Sequence, residues 1–185
     1  MKIFIGSDHR GFAIKSRLQA WLTHEGHTVI DKGPFAYDQH DDYPDFIAPV
    51  AKAVENDPAA RGIVLGFSGE GEAIVANRFP GIRAAVYYGG PLEIVRLSRR
   101  HNDANVLSLG TDLLTLEQMQ EAIGLWLHEP YEGGRHEERL EKIDHLHPPR
   151  TAPHPHHEIG DEPHRKHPHR PEHKKSWLSK LFHLS

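Results

Sequence analysis

Short apolar segments alternate with longer amphipathic segments over the first 143 residues, and this alternation limits the fold more than any other feature. The apolar runs at 2–6, 27–30, 62–66, 83–88 and 105–109 read as strands. The segments at 11–25, 45–55, 73–78, 92–100, 116–127 and about 135–143 repeat apolar residues at helical spacing. Strands that alternate with helices imply right-handed crossovers and a mostly parallel sheet. We therefore predict a Rossmann-like three-layer α/β sandwich with a mostly parallel five-stranded sheet.

The composition divides the chain into two parts. Ten of the 17 histidines and seven of the 14 prolines lie after Ile143, where few apolar side chains can offset the entropy of ordering the backbone. We predict one globular domain over 1–146 and a disordered His/Pro-rich tail over 147–185, with a short amphipathic end at 176–184. The tail histidines could bind metal ions, but they lack fixed ligand spacing, and a solvated linker is the simpler interpretation.

Several classes of protein are excluded by composition. The chain has no cysteine, which removes disulfides and thiolate chemistry, and no apolar run approaches the roughly 20 residues of a membrane span. The body carries 15 Lys/Arg against 22 Asp/Glu, a balance that argues against nucleic-acid binding. We expect a cytoplasmic protein with no integral membrane segment and no nucleic-acid partner.

The first loop expected at the carboxyl edge of the sheet runs from Gly6 to Gly11. It fits neither the Walker pattern nor the dinucleotide fingerprint, so nucleotide binding is not supported. It does place Asp8, His9 and Arg10 at a strand end, where they could orient sugar hydroxyls and a phosphate. The simpler alternative is a capped turn.

A second loop, from Gly66 to Glu72, follows the most apolar strand and opens a helix. Its backbone N–H groups could stabilise a developing oxyanion, while Glu70 or Glu72 acts as a general base. Alternatively, both glutamates only complement the helix dipole.

Two further polar stretches remain open to two interpretations each. His101, beside Asn102, is either part of a polar loop or an acid–base group for a sugar ring oxygen. Arg135 and Arg139 are four residues apart, so they either bind a phosphate from one helix face or form a surface ladder with nearby acids.

Five stretches, at 5–12, 42–45, 66–77, 101–107 and 131–136, together resemble the ribose-5-phosphate isomerase type B and galactose-6-phosphate isomerase family. The resemblance covers about residues 1 to 145, and the tail has no counterpart. It implies a homodimer or a dimer of dimers with sites at the subunit interface. It also implies interconversion of an aldose and a ketose phosphate through an enediol, without metal or nucleotide cofactor.

The resemblance also implies roles for individual residues. One branch of the family uses a cysteine base just after the third strand, where this chain has Gly66, and another uses a glutamate that corresponds to Glu72. Glu72 is thus the expected base, and His101 would assist ring opening. The implied substrate-binding residues are Asp8, His9, Tyr43, Phe67, Ser68, Gly69, Glu70, Gly71, Asn102, Arg135 and Arg139.

One position departs from the family pattern. Many members carry an arginine in a Leu-Gly-x-Arg sequence, where this chain has Asp112. A carboxylate would repel the substrate phosphate, so either Arg10 or another nearby arginine compensates, or the substrate differs. Ribose 5-phosphate and ribulose 5-phosphate are the default pair. The alternatives are a tetrose or hexose phosphate, a non-catalytic sugar-phosphate-binding protein, or a metal-binding oligomeric protein.

Overall fold

The computed structural model describes residues 1–146, so the predicted tail at 147–185 lies outside the described residues. Strands and helices alternate as the sequence predicts. In chain order the elements are β1 Lys2–Ser7, α1 Phe12–His24, β2 Thr28–Asp31, α2 Pro44–Glu55, β3 Arg61–Gly66, α3 Glu70–Ala76, β4 Ala84–Tyr87, α4 Glu93–Arg100, β5 Val106–Gly110, α5 Leu116–His128, a 3-10 turn Gly134–His136, and α6 Glu137–Asp144.

The five strands form one sheet in the order β2-β1-β3-β5-β4, and every neighbouring pair is parallel. Ile63 of the central strand lies opposite Ile5 on one side and Leu107 on the other. Parallel strands covered on both faces read as nearly continuous apolar runs, which explains the sequence of β3. The predicted Rossmann-like α/β fold is confirmed.

Side chains alternate between the two faces of the sheet and build two cores. Helices α1, α4 and α5 cover one face, where Leu18, Val95 and the fully buried Trp126 pack on the odd-numbered residues of β1, β3 and β5. Helices α2 and α3 cover the other face and pack on Val64. The helices therefore occupy both outer layers of a three-layer sandwich.

Two predicted elements differ from the structure near functional residues. Helix α3 begins at Glu70, three residues before the predicted start at Ala73, because Gly69 adopts a left-handed conformation (φ +83°) and caps the helix. The predicted last helix divides into a 3-10 turn that contains Arg135 and an α-helix that contains Arg139. Within residues 1–146, no helix combines the length and the apolar character needed to cross a membrane.

Candidate active site

The loops that follow β1, β3 and β5 meet at the carboxyl edge of the sheet, as predicted for ligand binding in this fold. Thr111, after β5, donates hydrogen bonds from its backbone N–H (2.8 Å) and its hydroxyl (3.0 Å) to the carbonyl oxygen of Gly66. The buried Ser108 hydroxyl of β5 donates to the carbonyl oxygen of Gly69. These bonds tie the Gly66–Glu72 segment to β5 and fix the start of α3.

Glu72 is a buried carboxylate of this edge and is 4% exposed. Its burial raises its pKa, and the nearby Asp8 carboxylate contributes to the increase. A Cβ atom added at Gly66 would overlap the Glu72 carboxyl group, so that group lies directly against the Gly66 α-carbon. A cysteine at position 66 and the Glu72 side chain would therefore occupy the same space, which is why one chain has room for only one of these two groups.

Asp8 lies at the end of β1 and caps the turn that follows, as the simpler alternative from the sequence has it. Its Oδ1 accepts hydrogen bonds from the backbone N–H groups of Arg10 (2.9 Å) and Gly11 (3.3 Å), so the first loop is a capped turn. Its Oδ2 lies 3.9 Å from Nδ1 of His9. One carboxylate oxygen therefore holds the turn, while the other faces a neighbouring candidate site residue.

The loop between β2 and α2 brings two more side chains to this edge. The Tyr43 ring packs against the backbone of Gly71, where an added Cβ would lie 3.0 Å from Cζ of Tyr43. Asp41 accepts a hydrogen bond from the backbone N–H of His9 (3.0 Å) and lies 2.6 Å from its Nδ1. The sequence analysis did not identify Asp41, because it lies 32 residues from its partner and no spacing rule connects them.

Arg10 crosses the same edge and contacts both loops beside it. Its guanidinium forms an ion pair with Asp112 and lies over the Phe67 ring, with Cζ 5.0 Å from the ring centroid. The Asp112 carboxylate is therefore paired with a cation in this chain. This agrees with the alternative from the sequence in which Arg10 compensates for its charge. The pair is partly exposed, with 42% of the Arg10 side chain accessible.

His101 and Asn102 lie at the opposite edge of the sheet. They follow α4, which starts after the carboxyl end of β4 and returns to the amino ends of the strands. The Asn102 carbonyl oxygen accepts a hydrogen bond from Nε of Arg83, the residue before β4 (3.0 Å). The His101 ring stacks on that of His136, with centroids 4.3 Å apart and an interplanar angle of 9°.

A cavity of about 530 Å³ at this amino edge is lined by His101, Asn102, His136 and Arg139 together with apolar residues. Burial lowers the pKa of His136, and the nearby His101, Arg135 and Arg139 lower it further. Within residues 1–146 neither Arg135 nor Arg139 forms an ion pair with a carboxylate, so the predicted surface ladder does not form there. Both arginines are exposed and available to an anion.

The predicted site residues therefore form two groups. The carboxyl-edge cluster comprises Asp8, His9, Tyr43, Phe67, Ser68, Gly69, Glu70, Gly71 and Glu72. The amino-edge cluster comprises His101, Asn102, Arg135 and Arg139. Strands of up to six residues separate the two edges, a distance of about 20 Å at roughly 3.3 Å per residue.

Two groups of side chains in the described residues place potential metal ligands within 4.8 Å of one another. In the first, the His101 and His136 rings are stacked, and Glu132 is already paired with Arg100. In the second, Asp41 Oδ1 is already occupied by His9. One carboxylate of each group is therefore already engaged in a hydrogen bond.

A parallel α/β sandwich with buried carboxylates at one edge and exposed arginines at the other suits an isomerase that acts on a phosphorylated sugar. Residues 3–143 match the model of the Ribose/Galactose Isomerase family. The chain belongs to this family of isomerases.

Known proteins similar to this chain include "Ribose-5-phosphate isomerase B" of Escherichia coli K12, which is 42% identical over 77% of this chain and 93% of that protein. A solved structure of ribose-5-phosphate isomerase B from Mycoplasma genitalium with bound ribulose-5-phosphate superposes with a TM-score of 0.75 at 34% identity, over 78% of this chain and 95% of that one. The enzyme from Clostridium thermocellum gives a TM-score of 0.74 at 42% identity, over 79% and 97% of the two chains.

Proposed function

We propose that this isomerase interconverts ribose 5-phosphate and ribulose 5-phosphate through an enediol, with Glu72 as the base. The observation that carries the proposal is the Glu72 carboxylate, buried against Gly66 with its pKa raised by burial. The names of the relatives and the ribulose 5-phosphate in one related structure support the choice of substrate. A changed sugar, such as a tetrose or hexose phosphate, is the alternative within the same reaction.

In this proposal the base moves one proton between two carbons. Glu72 removes the C2 proton of the open-chain aldose, the electron pair forms the enediol double bond, and the aldehyde oxygen takes a proton from water. The same carboxyl group then gives its proton to C1, while the C2 hydroxyl returns a proton to water and becomes a carbonyl. A base with a raised pKa holds that proton more effectively between the two steps. His101 assists opening of the sugar ring.

We further propose that a second copy of the chain completes each site. The amino-edge cluster carries His101 and the arginines suited to a phosphate, yet it lies the length of the sheet away from Glu72. A two-fold axis perpendicular to the strands reverses their direction, so it sets the amino edge of one copy beside the carboxyl edge of the other.

The surface beside β4, the edge strand, supports this assembly. Ile74 of α3 is 58% exposed, Ile94 of α4 is 52% exposed, and Tyr88 after β4 is 49% exposed. A cavity of about 400 Å³ along the same strand is lined by Ile74, Ala84 and Val86 and by the polar side chains of Glu70, Asn77 and Arg78. Exposed apolar residues grouped along an edge strand suit an interface between copies. A dimer is the smallest assembly that this requires, and a dimer of dimers remains a prediction from the sequence.

The substrate phosphate is assigned to Arg135 and Arg139 of the second copy, with Arg10 as an additional cation at the carboxyl edge. Arg10 offsets the charge of Asp112 through their ion pair. Its remaining N–H groups can meet an anion, because only one terminal nitrogen contacts Asp112. A location in the cytoplasm stays a prediction from the sequence.

The test is C2 proton exchange in deuterated water, followed by NMR with ribose, ribulose, erythrose, allose and galactose phosphates. We expect exchange with ribose 5-phosphate in the wild type and at least about 10³-fold slower exchange in Glu72→Gln, since the amide cannot accept a proton. Binding of sugar phosphates without exchange of any substrate would favour the non-catalytic alternative. If exchange occurs only with another sugar phosphate, Glu72 remains the proposed base and that sugar phosphate replaces ribose 5-phosphate as the proposed substrate.

A further inference from the structure

Asp41 holds His9 in one orientation through two contacts. Oδ1 of Asp41 accepts a hydrogen bond from the backbone N–H of His9 at 3.0 Å and lies 2.6 Å from the ring nitrogen Nδ1. A carboxylate oxygen can only accept, so Nδ1 is the nitrogen that carries the proton in this contact. Nε2 is left as the ring nitrogen that can meet a ligand, and 25% of the His9 side chain is accessible.

The other oxygen of Asp41 is not satisfied in the same way. Oδ2 is buried and has no hydrogen-bond partner within residues 1–146, and the Asp41 side chain is only 7% exposed. Burying a carboxylate costs free energy unless it is fully paired. A buried carboxylate with one oxygen unpaired is a poor contributor to stability, which suggests that its value lies in what it does to His9.

The position of the pair connects it to the carboxyl-edge cluster. The His9 ring lies beside Asp8, whose Oδ2 is 3.9 Å from Nδ1. The loop that carries Asp41 also carries Tyr43, whose ring packs on Gly71 at the start of α3. The segment between β2 and α2 therefore fixes two candidate substrate contacts at once, one by a hydrogen bond and one by packing.

We propose that Asp41 is a positioning residue that locks the His9 imidazole with Nδ1–H toward Asp41 and Nε2 toward the sugar phosphate. The inference rests on the proposed function, because it takes His9 as a group that contacts the substrate. Asp41 itself does not touch the substrate. It selects the nitrogen that is presented and keeps the ring from rotating away.

The test compares Asp41→Ala with Asp38→Ala in the full-length protein. Asp38 lies on the same loop and is exposed, and its side chain accepts the backbone N–H of His40, so it is a matched control. For Asp41→Ala we expect KM for ribose 5-phosphate to rise about tenfold, the scale of one hydrogen bond to the substrate, with kcat within about threefold of wild type. Asp38→Ala should leave both constants unchanged.

A second readout does not depend on turnover. Nitrogen-15 NMR of the histidines, with the His9 signals identified by their loss in His9→Gln, reports which ring nitrogen carries the proton. We expect the Nδ1–H form of neutral His9 in wild type and its loss in Asp41→Ala. We also expect ribose 5-phosphate to shift the Nε2 signal in wild type and to shift it less in the variant.

Three results would overturn the inference. One is an unchanged His9 tautomer in Asp41→Ala, and another is a His9 signal that does not respond to ribose 5-phosphate in wild type. The third is a lower melting temperature with KM unchanged, which would make Asp41 purely structural. If the wild type binds ribose 5-phosphate but does not turn it over, the isomerase proposal fails while the tautomer and the titration still decide the role of Asp41.

Discussion

The carboxyl-edge and amino-edge clusters differ in charge, in burial and in the contacts that hold their residues in place. Glu72 and Asp8 are buried carboxylates at 4% and 7% exposure, and backbone hydrogen bonds hold their loops. Arg135 and Arg139 are exposed cations, and the His101 ring is supported by the buried His136. One cluster can move a proton and the other can hold an anion, but a single chain keeps them apart.

Charge explains why the separation matters. A phosphate dianion near Glu72 and Asp8 would be repelled at close range unless cations intervene. At the carboxyl edge the arginine is Arg10, and Asp112 already shares its charge. The cations that the carboxyl edge lacks are at the amino edge, which is why we expect two copies to combine the clusters.

The largest expected effect comes from mixed dimers. One chain carries Glu72→Gln and the other His101→Ala, and differently tagged subunits are co-expressed and purified as heterodimers. If each site uses Glu72 of one copy and His101 of the other, one site in the heterodimer is intact and the second carries both substitutions. We expect about half of the wild-type kcat in the heterodimer, whereas either homodimer should fall to about 1% or less.

The same heterodimer also tests the alternative in which each chain holds a complete site. If each chain held a complete site, both sites of the heterodimer would carry one substitution and its activity would stay as low as in the two homodimers. As a control, the two variants are also refolded together and separately at equal protein concentration. Comparing these samples shows how much activity refolding itself recovers.

We expect a smaller effect on activity from a substitution at Gly66, which changes only the carboxyl-edge cluster. In Gly66→Ala the new methyl group would displace the Glu72 carboxyl group, which is the far end of a flexible side chain, so the fold should survive while the base moves. We expect kcat to fall about 10- to 100-fold, because small displacements of a catalytic group are costly. Steady-state kinetics together with circular dichroism would check this.

Gly124→Ala is the matched control for that substitution. Gly124 lies in α5, and an added Cβ there would meet no atom within 4 Å, so activity should stay at the wild-type level. An active Gly66→Ala enzyme with normal kcat would mean that the Glu72 carboxylate does not act from its position against Gly66.

Arg10 should have a more modest effect. In Arg10→Gln the charge beside Phe67 is lost and Asp112 is left without its partner, so the carboxyl edge becomes more repulsive to the substrate phosphate. We expect KM to rise about 3- to 10-fold and kcat to change less. Arg17→Gln removes an exposed arginine from α1 and should leave KM unchanged. A normal KM in Arg10→Gln would remove Arg10 from the binding proposal.

The two clusters also show which features of the fold and the site can be predicted from the sequence. The alternation of apolar runs and helical periodicity was sufficient for the parallel fold, because buried strands and amphipathic helices each have a local pattern. The contacts of His9 with Asp41 and of Arg10 with Asp112 have no such pattern, since they join residues 32 and 102 positions apart. The early start of α3 depended on the left-handed Gly69.

The division into two clusters was not recognised in the sequence, although the predicted order of strands and helices contains it. Motifs occur in chain order, but the edge on which each one lies depends on whether it follows a strand or a helix. His101 follows α4 and therefore lies at the amino edge, while Glu72 follows β3 and lies at the carboxyl edge. The resemblance implied a shared interface, and the topology supplies a physical reason for it.

The smallest expected effect is on stability and distinguishes the buried carboxylate from the exposed cations. Because burial raises the pKa of folded Glu72 above its unfolded value, the folded state binds the proton more tightly, and its stability falls as pH rises through the raised pKa. At pH 7 burying this carboxyl group is thus a cost that Glu72→Gln removes. We expect Glu72→Gln to melt at least about 2 °C above wild type at pH 7, as measured by calorimetry.

The same variant should lose this advantage as the pH falls. Near pH 4, below the raised pKa, wild-type Glu72 is protonated and neutral like glutamine, so the difference in melting temperature should shrink toward zero. Arg139→Gln, at the exposed amino edge, should show no comparable gain at pH 7, because its charge is already solvated. A Glu72→Gln protein that is less stable than wild type at pH 7 would mean that the charged carboxylate is well satisfied where it lies, and the physical basis for Glu72 as a base with a raised pKa would be lost.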